Sequence, residues 1–133
     1  MTRPLSVGVA GLGTVGGGVL KVLRDNADIV AARAGRPIVV TAVSARDRTR
    51  DRGVSMAGLR WYDDPVALAS DPSVDVVVEL IGGSDGPAKA LAEATIAAGK
   101  PLVTANKALL AVRGAELAAA AEERGVPLGF EAA

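Results

Sequence analysis

The feature that most constrains the fold is a cluster of glycines directly after a short apolar segment near the N-terminus. LSVGVA (5–10) reads as a buried strand, and GLGTVGGG follows with Gly11, Gly13 and Gly16 in G-x-G-x-x-G spacing. Apolar residues then recur at helical spacing, so the glycines join a strand to a helix. There the first glycine permits a tight turn, the second admits a pyrophosphate to the backbone, and the third allows close helix packing. The pattern predicts a dinucleotide-binding loop, and the alternative is a turn that merely connects the two elements.

The rest of the chain alternates in the same way between apolar runs and helical patterns. Strands are predicted over 5–10, 38–43, 58–62, 74–81, 101–105 and 126–130. Helices are predicted from Thr14 to about 34 with a break at Asn26, in a short segment capped by Asp64 with Pro65 first, over 86–99, and over 108–125 with loosening at Gly114. Unbroken apolar strands indicate burial on both faces. We therefore predict one α/β domain over 1–133, a Rossmann-type doubly wound, mainly parallel six-stranded sheet with helices on both faces and strand order 3-2-1-4-5-6.

Composition excludes several classes of function. The 15 basic and 15 acidic residues balance, which argues against a nucleic-acid or membrane partner recruited by bulk charge. Cys and His are absent, so thiol nucleophiles, imidazole bases and the usual zinc sites are excluded. The longest apolar run, VDVVVELIGG, is too short and too acidic to span a bilayer, and the N-terminus does not read as a signal peptide. We expect a cytoplasmic protein.

Candidate site residues collect where the predicted strands end. In a doubly wound sheet, ligands bind beyond the carboxyl ends of the strands. The first and fourth strands are neighbours in the predicted order, so small residues after the fourth would lie opposite the glycine loop. The residues expected at this edge include Gly82, Gly83 and Ser84 after strand four, and Thr104, Ala105 and Lys107 after strand five.

Two charged residues near this edge need an explanation. Lys107 stands where a helix should begin, although the positive end of a helix dipole usually prefers an acid. A nearby anion or developing alkoxide would offset that cost, and the alternative is a surface lysine that extends into water. Glu79 lies in the most apolar strand, where a carboxylate must be paired or hydrogen-bonded. We expect it to accept backbone N–H bonds or to hold a polar network near the site.

The end of the second strand bears on the choice of dinucleotide. NAD sites usually place an acid there for the ribose 2′-hydroxyl, whereas this chain has Ser44, Ala45 and Arg46 before the first acid, Asp47. A guanidinium suits a 2′-phosphate, so we predict NADP in preference to NAD, with Arg46 as the phosphate contact. The alternative is a solvated loop in which the arginines of RDRTRDR pair with their own aspartates.

The chain resembles homoserine dehydrogenases over essentially all of its length. The shared segments are VGVAGLGTVGGGV, AVSARDRTRDRG, VVVELIGG, VTANKALLA and GFEAA, in the family's order and spacing. The glycine motif occurs in many families, but ELIGG followed by TANKALLA is much more specific. The resemblance implies reduction of aspartate semialdehyde to homoserine with NADPH or NADH, on the route to threonine, isoleucine and methionine.

The resemblance also implies roles for individual residues. Lys107 would stand at the junction of nicotinamide and substrate, paired with a second lysine from a substrate domain. Glu131 would help to hold a monovalent cation, sodium, in the parent enzyme. The residues implied to line the dinucleotide are Leu12, Thr14 and Val15, with Arg46 at the 2′-phosphate and Gly83 and Ser84 near the nicotinamide half.

Because the sequence stops just after the last predicted strand, we expect a fragment. The family's substrate domain and dimer-forming sheet would lie outside this fragment. The longer parent enzyme would therefore form the homo-oligomer and catalyse the reaction. The chain alone would bind nucleotide, turn over little or nothing and hold no cation. Two alternatives are a sugar- or inositol-dehydrogenase type, whose lysine lies in a Glu-Lys-Pro motif where this chain has ANKA, and a nucleotide-sensing module.

Overall fold

A parallel sheet forms the centre of the computed structural model, which describes residues 3–46 and 55–130. Its strands within these ranges are β1 (Leu5–Ala10), β2 (Ile38–Ser44), β3 (Arg60–Tyr62), β4 (Val76–Glu79), β5 (Leu102–Thr104) and β6 (Leu128–Phe130). The order is β3-β2-β1-β4-β5-β6, and every neighbouring pair is parallel. The predicted fold class and strand order are therefore confirmed.

Helices cover both faces of the sheet. They are α1 (Thr14–Asp25), α2 (Ala27–Ala34), α3 (Ala67–Ser70), α4 (Pro87–Ala97) and α5 (Lys107–Arg124). One buried cluster joins α3, α4 and α5 to the sheet and includes Leu68, Leu91, Leu102, Leu109 and Leu117. The other lies under α1 and includes Val7, Val9, Leu12, Leu20 and Val43. Burial on two sides explains why the strands read as unbroken apolar runs. No helix in the described ranges is long and apolar enough to cross a bilayer.

The helix boundaries confirm one local prediction and correct two others. The break at Asn26 is present, and its Nδ2 group donates to the Val22 carbonyl oxygen (3.1 Å). The expected loosening at Gly114 is wrong, because α5 buries Leu109, Leu117 and Ala121 and continues through the glycine. Such packing outweighs a glycine cost of about 1 kcal/mol.

The short third helix begins later than predicted. Asp64 was expected to cap a helix that starts at Pro65, but α3 begins at Ala67. The Asp64 carboxylate accepts the Val66 N–H (3.0 Å), which is the bond that an N-cap residue makes with the second position of a helical turn, so its predicted capping role is confirmed. The turn from Asp64 to Ala67 has backbone bonds of the 3₁₀ type, from the Ala67 N–H to the Asp64 carbonyl oxygen and from the Leu68 N–H to the Pro65 carbonyl oxygen (both 3.0 Å), so the α-helix itself begins later.

The edge strand β3 is anchored by Asp71, whose side chain is fully buried. Its carboxylate accepts hydrogen bonds from Arg60 Nη1 (3.0 Å), Tyr62 Oη (2.8 Å) and both Ser73 N–H and Oγ (2.8 and 2.7 Å). Burial alone would raise the pKa of Asp71, but the bonds from Ser73, Tyr62 and Arg60 outweigh it and lower the pKa to about 2. The anionic form thus stabilises the β3 edge.

The last residues of the strands form one row across the sheet. Ala10 pairs with Ser44 on one side and with Glu79 on the other, Ser44 pairs with Tyr62, and Glu79 pairs with Thr104. Thr104 in turn pairs with the last residue of β6. Since neighbouring strands lie about 4.8 Å apart, the segments that follow β1 and β5 leave the sheet about 10 Å apart, on either side of β4. We call this edge the carboxyl rim.

Candidate functional site

The glycine loop after β1 is shaped by two close backbone approaches. Gly11 has φ +94°, and a Cβ atom there would lie 2.7 Å from the Leu80 carbonyl group. A Cβ atom at Gly16 would lie 1.9 Å from the Gly11 carbonyl oxygen, so the first turn of α1 packs directly on the loop. Both positions exclude any larger residue, because the obstructing atoms belong to the main chain.

The start of α1 is open to solvent. Gly13 is the N-cap residue, is exposed, and would meet no atom within 4 Å if it carried a Cβ atom. The first turn, which begins at Thr14, contains no acidic residue. Free N–H groups at such a helix start attract anions, and the open space admits one to the backbone. The observed cradle therefore fits a pyrophosphate group.

The predicted residues beside these glycines differ in exposure. Leu12 is 3% exposed and packs in the cluster under α1, so its side chain supports the loop from below. Val15 is 61% exposed on the outer surface of α1.

The loop after β4 lies directly beside the glycine loop. The Leu80 N–H donates to the Ala10 carbonyl oxygen (2.8 Å), which continues the β1–β4 pairing by one residue. Gly82 and Gly83 follow in left-handed conformation, with φ +92° and +85°, and both are exposed. Ser84 is half-buried. The segment after β4 therefore begins against the glycine loop at Leu80 and Ile81, directly before Gly82 and Gly83.

Glu79 ends β4 because its carboxylate captures the next N–H groups. Oε2 accepts the N–H of Ile81 (2.7 Å) and of Gly82 (3.1 Å), and Oε1 accepts the Thr104 hydroxyl (2.6 Å). The expectation that Glu79 accepts backbone bonds and holds a polar network is confirmed. The predicted strand over 74–81 is too long at both ends, and at the carboxyl end these side chain-to-backbone bonds turn the chain after Glu79.

Asn106 is a residue that the sequence reasoning missed. Its Oδ1 accepts the Leu109 N–H (3.0 Å) as the N-cap of α5, and its Nδ2 donates to the Gly83 carbonyl oxygen (2.6 Å). The Asn106 N–H also donates to Thr104 Oγ1 (3.0 Å). Asparagine before a helical pattern is a standard N-cap signal, and it would have indicated the cap but not the bond to Gly83.

Lys107 is the first residue of α5 and is exposed at the carboxyl rim. The first turn of α5 contains no acidic residue, and among the described residues no carboxylate or acceptor bonds the Lys107 ammonium group. Asn106 satisfies the helix end without adding negative charge. The ammonium group and the helix dipole together leave this part of the rim positive, which suits an anionic or carbonyl oxygen.

The remaining predicted site residues are Arg46, Thr104, Ala105 and Glu131. Arg46 is exposed two residues beyond the end of β2, on the same rim, and the neighbouring Asp47 lies outside the described residues. Thr104 is 1% exposed with its hydroxyl bonded to Glu79, whereas Ala105 is exposed. Glu131 lies outside the described residues, and within them no group of three or more His, Cys, Asp or Glu side chains could hold a metal ion.

A second contact attaches the β4–α4 loop to α5. Arg113 Nη2 donates to Asp85 Oδ1 (2.9 Å). This hydrogen bond lowers the pKa of the Asp85 carboxyl group. The loop is thus joined to α5 both at the start of the helix, through Asn106, and further along it, through Arg113.

Residues 11–131 match the family model described as the NAD-binding domain of homoserine dehydrogenase. A homoserine dehydrogenase of Pseudomonas aeruginosa is 47% identical over 98% of this chain, and one of Mycobacterium tuberculosis is 44% identical over 98%. The chain spans 30% and 29%, respectively, of the length of these two relatives.

Solved structures give the same result. The homoserine dehydrogenase of Thiobacillus denitrificans superposes with a TM-score of 0.89 at 46% identity, over 97% of this chain and 30% of that one. The Staphylococcus aureus homoserine dehydrogenase at pH 7.0 has a TM-score of 0.88 at 33% identity, over 98% of this chain and 33% of that one. These comparisons do not favour the sugar- or inositol-dehydrogenase or nucleotide-sensing alternatives.

Proposed function

This chain belongs to the homoserine dehydrogenase family, in which it corresponds to the NAD-binding domain, and we propose that its carboxyl rim binds NADP(H) for the interconversion of aspartate semialdehyde and homoserine in a longer parent enzyme. The observation that carries the proposal is the alignment of strand ends, which brings the glycine loop and the Lys107 segment to either side of β4. When bound, the dinucleotide supplies or accepts the hydride.

The main chain of the glycine loop holds the pyrophosphate. Gly11 and Gly16 set the loop against β4 and α1, and Gly13 leaves its outer side open. The N–H groups at the start of α1 then donate to phosphate oxygens without a side chain in the way. Leu12, Thr14 and Val15 border the same site. The exposed glycines at 82 and 83, with Ser84, offer a surface without bulky side chains for the nicotinamide half.

Arg46 selects NADP over NAD. It stands beyond the end of β2, where an NAD-specific domain usually has an acid. A guanidinium binds a phosphate through charge-assisted, bidentate bonds, so we expect this chain to bind NADPH about tenfold or more tightly than NADH. Titration of the chain with both nucleotides, followed by the fluorescence of Trp61, measures the ratio.

Charge reversal at Arg46 tests that assignment. Arg46→Glu should weaken NADPH binding far more than NADH binding, since the carboxylate repels the 2′-phosphate but tolerates a 2′-hydroxyl. Arg33→Glu is the matched control, because Arg33 is also exposed but precedes the amino end of β2, on the opposite edge. The assignment would be wrong if the unsubstituted chain bound NADPH and NADH with equal affinity, or if Arg46→Glu weakened the binding of both nucleotides to the same extent.

Lys107 acts on the substrate in the parent enzyme. Its ammonium group at the positive end of α5 can polarise a carbonyl oxygen or pass a proton to the alkoxide that hydride transfer produces. In the full-length enzyme, Lys107→Ala should lower kcat by about 100-fold or more and leave the Kd for NADPH nearly unchanged. Lys21→Ala on the exposed surface of α1 is the control. Unchanged turnover in Lys107→Ala would return this residue to a surface role.

Further properties belong to the parent enzyme. Glu131 would contribute one oxygen ligand to a sodium ion whose other ligands lie beyond this sequence, and homo-oligomers would form through another domain. We propose a cytoplasmic location, with no nucleic-acid or membrane partner. Sodium-dependent activity that is lost in Glu131→Gln would support the cation site, and sodium-independent activity would contradict it.

A further inference from the structure

The β4–α4 loop combines a flexible composition with several bonds from its main chain to buried side chains. Gly82, Gly83 and Gly86 all adopt left-handed backbone conformations. Glycines lose more conformational freedom on ordering than other residues, so such a loop is costly to hold in one shape. Its main chain is nevertheless bonded at Ile81 and Gly82 by Glu79, and at Gly83 by Asn106.

These bonds form a closed ring through three buried side chains. Glu79 holds the start of the loop, Thr104 donates to Glu79 and accepts from the Asn106 N–H, and the Asn106 amide returns to the Gly83 carbonyl oxygen. The exposed fractions of Glu79, Thr104 and Asn106 are 0%, 1% and 7%. The ring therefore joins the loop after β4 to the first residues of α5 without solvent between them.

The ring is not needed to pair the strands. The backbones of β4 and β5 already pair from Val77 to Glu79, and apolar side chains at Glu79 and Thr104 would fill the same interior without burying a carboxyl group. Its distinctive effect is on geometry at the rim. It fixes the carbonyl of Gly83 and the position of Lys107 relative to each other, because Lys107 follows Asn106 directly.

We infer that Glu79, Thr104 and Asn106 are positioning residues that hold the β4–α4 loop in the shape required by the nicotinamide half of the dinucleotide. This inference rests on the proposed function and deepens it. With the ring intact, the nicotinamide half meets an already ordered surface, and its binding does not have to order the loop. The adenine half, which meets the ends of β1 and β2, does not depend on the ring.

The test compares two ligands on the same chain. NADPH contains both halves, and 2′-phosphoadenosine 5′-diphosphate lacks both the nicotinamide and its ribose. Thr104→Val removes the central hydroxyl in a side chain of the same shape, and Thr104→Ser keeps it. Thr95→Val is the matched control, because Thr95 is also fully buried but its hydroxyl donates to the Leu91 carbonyl oxygen within its own helix, α4.

We expect Thr104→Val to bind NADPH about tenfold more weakly while its Kd for 2′-phosphoadenosine 5′-diphosphate stays within about twofold of the unsubstituted chain. Thr104→Ser and Thr95→Val should bind both ligands normally. Binding is measured by calorimetry below the unfolding temperature of each variant. Amide hydrogen exchange at Ile81 and Gly82 should also accelerate in Thr104→Val but not in Thr95→Val.

If Thr104→Val does not fold, Asn106→Ser provides the second variant, because serine can still cap α5 but cannot reach Gly83. Equal losses for both ligands would show a general structural role and overturn the inference. The inference would also be overturned if Thr104→Val bound NADPH as tightly as the unsubstituted chain does, or if the unsubstituted chain bound the two ligands with equal affinity. If the unsubstituted chain binds neither ligand, the proposed function itself is wrong and the inference falls with it.

Discussion

Adding one methyl group at Gly16 should distort the loop after β1, whereas the same addition at Gly18, two residues further along α1, should not. The Cβ atom that Gly16→Ala introduces would lie 1.9 Å from the Gly11 carbonyl oxygen, and real Cβ contacts essentially never fall below 3.0 Å. The two backbones must therefore separate by about 1 Å or more. At Gly18 an added Cβ atom meets nothing within 4 Å.

The two substitutions should change the free energy of unfolding in opposite directions. Glycine in a helix costs about 0.5–1 kcal/mol relative to alanine, so Gly18→Ala should raise the free energy of unfolding by about that amount. Gly16→Ala has the same propensity gain but incurs overpacking of about 1–3 kcal/mol, and more if the main chain cannot yield. We expect the two variants to differ by about 2 kcal/mol in unfolding free energy.

Urea unfolding followed by circular dichroism measures this difference, and titration with NADPH measures its consequence for the site. A displacement of about 1 Å moves the N–H groups of the cradle out of hydrogen-bond range, so Gly16→Ala should bind NADPH at least about tenfold more weakly. Gly18→Ala should bind as the unsubstituted chain does. If Gly16→Ala proves as stable as Gly18→Ala and binds NADPH normally, the close approach to Gly11 does not shape the site.

The remaining predictions concern stability. The lowered pKa of Asp71 contributes stability that is present above its unfolded-state value of 3.8 and is lost as pH falls towards about 2. In urea unfolding, the stability advantage of the unsubstituted chain over Asp71→Asn should therefore shrink by about 1 kcal/mol between about pH 5 and pH 3, and an advantage that is constant with pH would contradict the assigned pKa. Gly114→Ala should stabilise α5 by about 0.5–1 kcal/mol, and a loss of stability would show that the helix needs a glycine there. Gly125→Ala should destabilise the protein by about 1 kcal/mol, because this C-cap has φ +67°, and a rise in thermal unfolding midpoint would refute the strain.

The sequence predicted a structural feature correctly where the interactions that produce the feature follow from residues close together in the chain. The apolar runs indicated buried parallel strands, and the known topology of alternating strands and helices then led to the observed order. The break at Asn26 was predictable because the asparagine side chain bonds to a carbonyl four residues earlier. The glycine spacing likewise identified position 16, where the obstructing carbonyl oxygen belongs to Gly11 in the same segment.

The errors came from contacts that no local pattern contains. Gly114 looked like a weak point because helix propensity is local, but burial of Leu109 and Leu117 against the sheet holds α5 together. The early end of β4 depends on the Glu79 carboxylate, whose orientation is fixed in part by Thr104, 25 residues away.

The amino-acid sequence alone was enough to predict the fold class, the strand order and the segments that meet at the carboxyl rim. Hydrophobic periodicity and the backbone conformations of glycine act over a few residues, so both can be recognised in the sequence. Folding in three dimensions was needed to join Glu79, Thr104, Asn106 and Gly83 into one ring. The bond that closes this ring, from Asn106 to Gly83, spans 23 residues of sequence. Such a bond depends on strand register and on the depth of each side chain, and both are set by how the whole sheet packs.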